Sequence, residues 1–158
     1  MPCAVHRGFY LAYHAVRDAI VKEVKALSPS HIYVTGHSLG GALATLGVLD
    51  LQLEFPSLGV SMYNFGSPRV GERMFAMFYN RIVHDSHRVV LPGDAVPLVP
   101  PQELSYHHVE REHTLRADVE DQILHTGTFE WLDVFKRHAY GREDELKCYR
   151  EQLLKDRS

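Results

Sequence analysis

The sequence has 158 residues, 45% hydrophobic and 23% charged, which fits one domain with a real core and excludes a disordered chain. Seventeen Lys and Arg against twenty Asp and Glu give a net charge of -3 with no basic stripe, which excludes a nucleic-acid partner as a working reading. No apolar run is long enough to span a bilayer, and the opening Met1-Pro2-Cys3-Ala4-Val5-His6-Arg7 shows no charged-then-apolar leader pattern, so a cytoplasmic location is expected, with Cys3 and Cys148 as free thiols.

Apolar residues at Phe9, Tyr13, Val16, Ile20, Val24 and Leu27 recur in steps of three and four, which predicts an amphipathic helix with Arg17, Asp18, Lys22 and Lys25 off the stripe. Ser28-Pro29-Ser30 stops it, because proline cannot continue a helix and disfavours α geometry just before itself. His31 to Thr35 is a short β-rich run expected as a buried strand. Gly36 to Gly41 reads as a tight turn and the Ala- and Leu-rich run Ala42 to Leu53 as a helix. Val60 to Phe65 is the next strand, Gly66-Ser67-Pro68 a turn, Glu72 to Val83 a helix and His87 to Leu91 a third strand. Pro92-Gly93-Asp94 closes that strand, and a proline-rich loop runs to Pro101. Tyr106 to Val109 and His113 to Arg116 are expected as short strands around a turn, and Trp131 onward as helix. Strands alternating with helices predict an α/β fold whose mostly parallel sheet is covered on both faces, with right-handed crossovers.

The chemistry is concentrated in Gly36-His37-Ser38-Leu39-Gly40, a G-x-S-x-G pattern placed after a strand and before a helix. So sharp a turn pushes the serine out above the sheet, and glycines two residues to either side avoid a clash. The following helix points its amino end at Ser38, a favourable field for developing negative charge. A nucleophilic serine needs a base, and the base an orienting acid, in the chain order Ser, Asp or Glu, His. Asp94 ends a strand at the carboxyl edge of the sheet, where ligand sites form. Pro-Gly-Asp is equally a plain turn in which Asp94 bonds its own backbone. Of eleven histidines, His107 and His108 read as structural, and spacing alone leaves His125 and His138 both open as the base.

Four blocks in order carry a resemblance: Val5-His6-Arg7-Gly8-Phe9, then Gly36 to Ala44, then Asn64-Phe65-Gly66-Ser67-Pro68-Arg69-Val70-Gly71, then Pro92-Gly93-Asp94-Ala95-Val96-Pro97. Together they resemble the class-three, fungal-type lipase family, over about Val5 to Tyr140. The resemblance implies an α/β-hydrolase fold and cleavage of carboxylic esters in acylglycerols or related lipids. It implies Ser38 as nucleophile, Asp94 as acid, His138 as base and the Leu39 N–H as an oxyanion donor; no cysteine pair or His-x-x-x-His spacing suggests a metal, and no cofactor is expected. His138 departs from the family pattern, being preceded by Arg137 and followed early by Tyr140. The family's upstream strand, which supplies the other oxyanion donor, and its lid have no counterpart in the thirty-five residues before Gly36. Losing one such donor typically costs about 100- to 1000-fold in rate. The expectation is therefore a single domain over 1–158 that is a truncated form of the family fold. One side of the His31 to Thr35 strand would be an unpaired edge, open to self-association. The expected function is that of a lipase or esterase with an ester or lipid substrate and peripheral contact with lipid surfaces. The alternative is a catalytically weak or inactive lipase-like module that binds or scaffolds.

Overall fold

The computed structural model describes residues 3–114. The elements run α1 (Arg7–Leu27), β1 (His31–His37), α2 (Leu39–Glu54), β2 (Gly59–Phe65), β3 (Gly71–Glu72), α3 (Arg73–Ile82), β4 (Ser86–Val90), β5 (Tyr106–His107) and β6 (Glu112–Thr114), with single 3-10 turns at Val96–Leu98 and Gln102–Leu104. The main sheet has the order β1-β2-β4-β6 and every pairing in it is parallel. The two short strands expected around one turn part company: β5 pairs antiparallel with β3, whereas β6 joins β4 in parallel. His125, His138, Cys148 and the helix expected from Trp131 lie outside the described residues.

Coverage of the sheet on both faces is not what residues 3–114 show. The order β1, β2, β4 advances in one direction, and right-handed crossovers then put α2 and α3 on the same face. α2 packs on β1 and β2, and α1 and α3 pack on α2. On the other face Tyr33 is 74% exposed, and Tyr63 and Phe65 are also exposed. The expected edge is present: β1 ends the sheet and pairs with β2 alone among the described residues.

Helix α2 explains why its sequence is apolar all round. Gly41, Ala42 and every residue from Ala44 to Leu51 are buried, as a helix enclosed between sheet and further helices requires. Its one buried charge, Asp50, is fully enclosed and answered from α1. The Tyr13 hydroxyl donates to Asp50 Oδ2 at 2.8 Å, Arg17 Nε lies 2.8 Å from the same oxygen, and Arg17 Nη2 donates to Oδ1 at 3.2 Å. Burial, with the Asp50 charge behind it, pushes the Tyr13 hydroxyl upward, so it stays protonated and donates. The predicted stripe of α1 is corrected accordingly. Phe9 and Tyr13 are buried, but Val16 and Leu27 are exposed, and Arg17 turns inward to Asp50 rather than lying off the stripe. A guanidinium with a buried carboxylate to meet outweighs a valine that solvent can host.

Removing one partner of a buried ion pair strands the other. Asp50→Ala is expected to lower stability by about 3–5 kcal/mol, read as a fall in the urea midpoint at unchanged slope.

Candidate active site

Strand β1 runs to His37 and helix α2 starts at Leu39, so the turn expected over Gly36 to Gly41 shrinks to one residue, Ser38. Its backbone sits at φ 53°, ψ -122°, a region that L-residues other than glycine adopt only under constraint, at about 1–3 kcal/mol. Three contacts hold it there. The Ser38 N–H donates to Phe65 O at 2.9 Å, and the Ser38 carbonyl accepts from the N–H of Gly41 at 2.9 Å and of Ala42 at 3.3 Å. Leu39, first residue of α2, has no carbonyl four residues back within its helix, so its N–H is available for another acceptor.

The glycines on either side of Ser38 do different work, which the pattern alone did not separate. A Cβ on Gly36 would lie 2.1 Å from Gly40 O, so the last turn of β1 and the first of α2 touch backbone to backbone. Gly40 itself has nothing within 4 Å of its would-be Cβ; the crowded neighbour is Gly41, whose Cβ would meet Ser67 Cβ at 2.8 Å.

Asp94 reaches the same end of the sheet on the loop after β4. Its Oδ1 accepts from the Val96 N–H at 2.9 Å, so the plain-turn reading is part of the answer. Its Oδ2 lies over Gly66, 2.7 Å from where a Cβ would stand, and His37 Nε2 lies 3.6 Å from that same point. Gly66, at φ 55°, thus leaves the space that the carboxylate occupies. The structure therefore brings Ser38, Leu39 and Asp94 to the carboxyl ends of β1, β2 and β4. His138 lies outside the described residues.

Sequence reasoning passed over Arg69 and did not link His108 to the Asp94 loop, though both fasten it. Arg69 is buried, and its Nη1 donates to Pro100 O at 2.9 Å and also to Leu98 O. His108 Nε2 donates to Pro97 O at 2.8 Å; a carbonyl can only accept, so this nitrogen carries the proton. Burial first, and Arg88 second, push His108 down to about 4 against the pull of its bond to Pro97, so it is neutral at ordinary pH. The structural role expected for His108 fits this. Arg88 supports the layer beneath, donating from Nε to Val109 O at 2.8 Å and from Nη2 to Glu112 Oε2 at 2.8 Å.

Comparison with known proteins gives the same reading. The family model described as "Lipase (class 3)" matches residues 1–104. A secreted mono- and diacylglycerol lipase of Malassezia globosa, MDL3, is 40% identical over 109 residues, covering 66% of this chain and 36% of that protein. Secreted mono- and diacylglycerol lipase 1 of Fusarium solani is 39% identical over 118 residues, covering 72% of this chain and 34% of that protein. Among solved structures, a triacylglycerol lipase with a serine protease triad as its catalytic centre aligns with a TM-score of 0.64 at 33% identity, over 70% of this chain and 44% of that one. The chain thus spans about a third of the length of these two curated relatives. The similarity overturns the cytoplasmic expectation, since both curated relatives are secreted proteins. That expectation leaned on the first few residues of a chain matching only part of its relatives.

Two outcomes follow from the geometry. Gly36→Ala is expected to disrupt the Ser38 turn and lower the urea midpoint sharply, whereas Gly40→Ala, with open space and a better helix former, should leave it unchanged or raised. Because the fold disfavours a charged His108, unfolding free energy should fall as pH drops from about 6.5 through about 4, and a His108→Gln variant should lose that part of the slope in pH-resolved urea melts.

Proposed function

This chain belongs to the class 3 lipase family, and on that premise we propose that it is the part of a serine ester hydrolase that carries the nucleophile and the acid, acting on acylglycerols or related lipid esters. The observation that carries the reading is the backbone of Ser38 at φ 53°, held by Phe65 O on one side and by the first turn of α2 on the other. A strained apex of this kind persists only where the surroundings over-determine it, and it projects the hydroxyl away from the sheet.

In this mechanism the Ser38 hydroxyl attacks the ester carbonyl while His138 takes its proton. The carbonyl oxygen gains the negative charge and is met by the Leu39 N–H and the amino end of α2. The carbon–oxygen bond to the alcohol breaks, the alcohol leaves with the proton held on His138, and an acyl-serine remains. Water then attacks the acyl carbon, giving a proton to His138, and the fatty acid departs as Ser38 recovers its proton. Asp94 orients the imidazole and stabilises its charged form. The role of His138 rests on its resemblance to the family histidine, and that of Asp94 on its carboxylate lying over Gly66. The two secreted relatives support a secreted whole protein acting on glyceride esters at a lipid surface.

A second reading, a lipase-like module without turnover, is favoured by the one-sided pairing of β1 among the described residues. Fluorophosphonate labelling of the purified chain separates the two. Labelling that vanishes in Ser38→Ala and slows by about 10⁴-fold in Asp94→Asn supports the enzyme. An unlabelled, folded, monodisperse protein overturns it in favour of the module.

A further inference from the structure

The segment from Leu91 to Pro101 contains one 3-10 turn and no strand or α-helix, yet it carries Asp94. Such a loop fixes a carboxylate only if something outside it fixes the loop. Four successive carbonyls after the acid are each bound from elsewhere in the chain. Pro97 O accepts from His108 Nε2, Leu98 O and Pro100 O from Arg69 Nη1, and Val99 O from the Arg69 backbone N–H at 2.9 Å. The carboxylate is tied into the same run, because Asp94 Oδ1 accepts from the Val96 N–H.

The chemistry of Arg69 makes this arrangement unusual. No carboxylate forms an ion pair with it among the described residues; its Nη1 is met by backbone carbonyls, while its buried Nε has no hydrogen-bond partner there. Burying a cation with no carboxylate in hydrogen-bonded contact is costly, and the more distant charge of Glu103 offsets only part of it. A cheaper apolar side chain would fill the space but could not hold two carbonyls two residues apart. Arg69 also sits three residues after Gly66, the glycine over which Asp94 Oδ2 lies. One short stretch, Gly66 to Arg69, therefore provides both the space for the carboxylate and the donors that hold its loop.

We propose that Arg69 and His108 are positioning residues for Asp94: they clamp the loop from Asp94 to Pro101 so that the carboxylate stays over Gly66, an inference that rests on Asp94 being the acid of the triad. Arg69 binds from the side of β2 and His108 from the side of β5. Arg88 stiffens the His108 side through Val109 O and Glu112.

The experiment uses the full chain and two readouts. Amide hydrogen exchange at Val96 reports the bond to Asp94 Oδ1 directly and does not depend on turnover. In Arg69→Met it should quicken by about 10-fold or more, the equivalent of losing one hydrogen bond, while the Met62 amide, bonded to Asp85 O within the sheet, keeps its rate. Arg69→Lys should restore part of the protection, since one ammonium can reach both carbonyls that Nη1 now holds. The second readout is the pH dependence of fluorophosphonate labelling. With the carboxylate displaced, the imidazolium loses its partner, so labelling should slow and its acidic limb move to lower pH in Arg69→Met. If Arg69→Met does not fold, His108→Phe, which deletes the bond to Pro97 O, should show both changes. Unchanged Val96 exchange, or faster exchange spread equally to Met62, overturns the clamp. If the unmodified chain is not labelled at Ser38, the triad reading falls, and Val96 exchange alone then decides whether the clamp exists.

Discussion

Strand β1 and helix α2 are joined by one residue, and the backbone of Gly36 lies against the carbonyl of Gly40 because of it. A connection that short fixes the direction in which α2 leaves the sheet. It also forces α2 to run directly along the face of β1 and β2, with other helices behind it. That is why α2 has no polar face and why its single enclosed carboxylate, Asp50, must be met by Tyr13 and Arg17 reaching in from α1. The strain at Ser38 and the charge network around Asp50, farther along the same helix, are one problem: a helix anchored at a sharp bend must be held along its length.

The same geometry accounts for the asymmetry of the sheet. With β1, β2 and β4 laid down in one direction, every right-handed crossover returns over the same face. The face bearing Tyr33, Tyr63 and Phe65 receives no helix from residues 3–114, and among those residues one edge of β1 is unpaired. Stacking of Tyr63 on His87, with ring centroids 4.8 Å apart, shows that this face still orders its own side chains.

Periodicity made α1, β1, α2, β2, α3 and β4 legible, because each carries its own local pattern; the two-residue β3 carries none. Boundaries were less so. Gly36 to Gly41 reads as a turn because glycine is a turn residue, yet Gly36 lies in β1 and Gly40 and Gly41 lie in α2. What the pattern could not contain was pairing across distance. Arg17 reads as a surface charge until Asp50 is placed opposite it, and coverage of both sheet faces was inferred from alternation without the strand order that decides it. The site was legible at Ser38, where the chemistry is local. At Asp94 it was half legible, since the residue forms the turn and is also the proposed acid. Arg69 was illegible, and His108 was legible as structural but not by its contact, because their partners are backbone carbonyls, which leave no mark in a sequence.

On the proposed assignment of Asp94 as the acid, its two readings are compatible. A carboxylate has two oxygens, and here they are used differently: Oδ1 closes the turn through the Val96 N–H, and Oδ2 faces the space over Gly66. A loop acid that spent both oxygens on its own backbone could not orient a base, and one that spent neither would wander with its loop. Dividing them makes the turn part of the acid's positioning, so that rigidity supplied to the loop by a buried guanidinium is transmitted to the one oxygen left facing the site. That no carboxylate forms an ion pair with Arg69 among the described residues fits this division. A second anion there would satisfy the guanidinium, and its donors would no longer be held to the carbonyls that keep Asp94 in place.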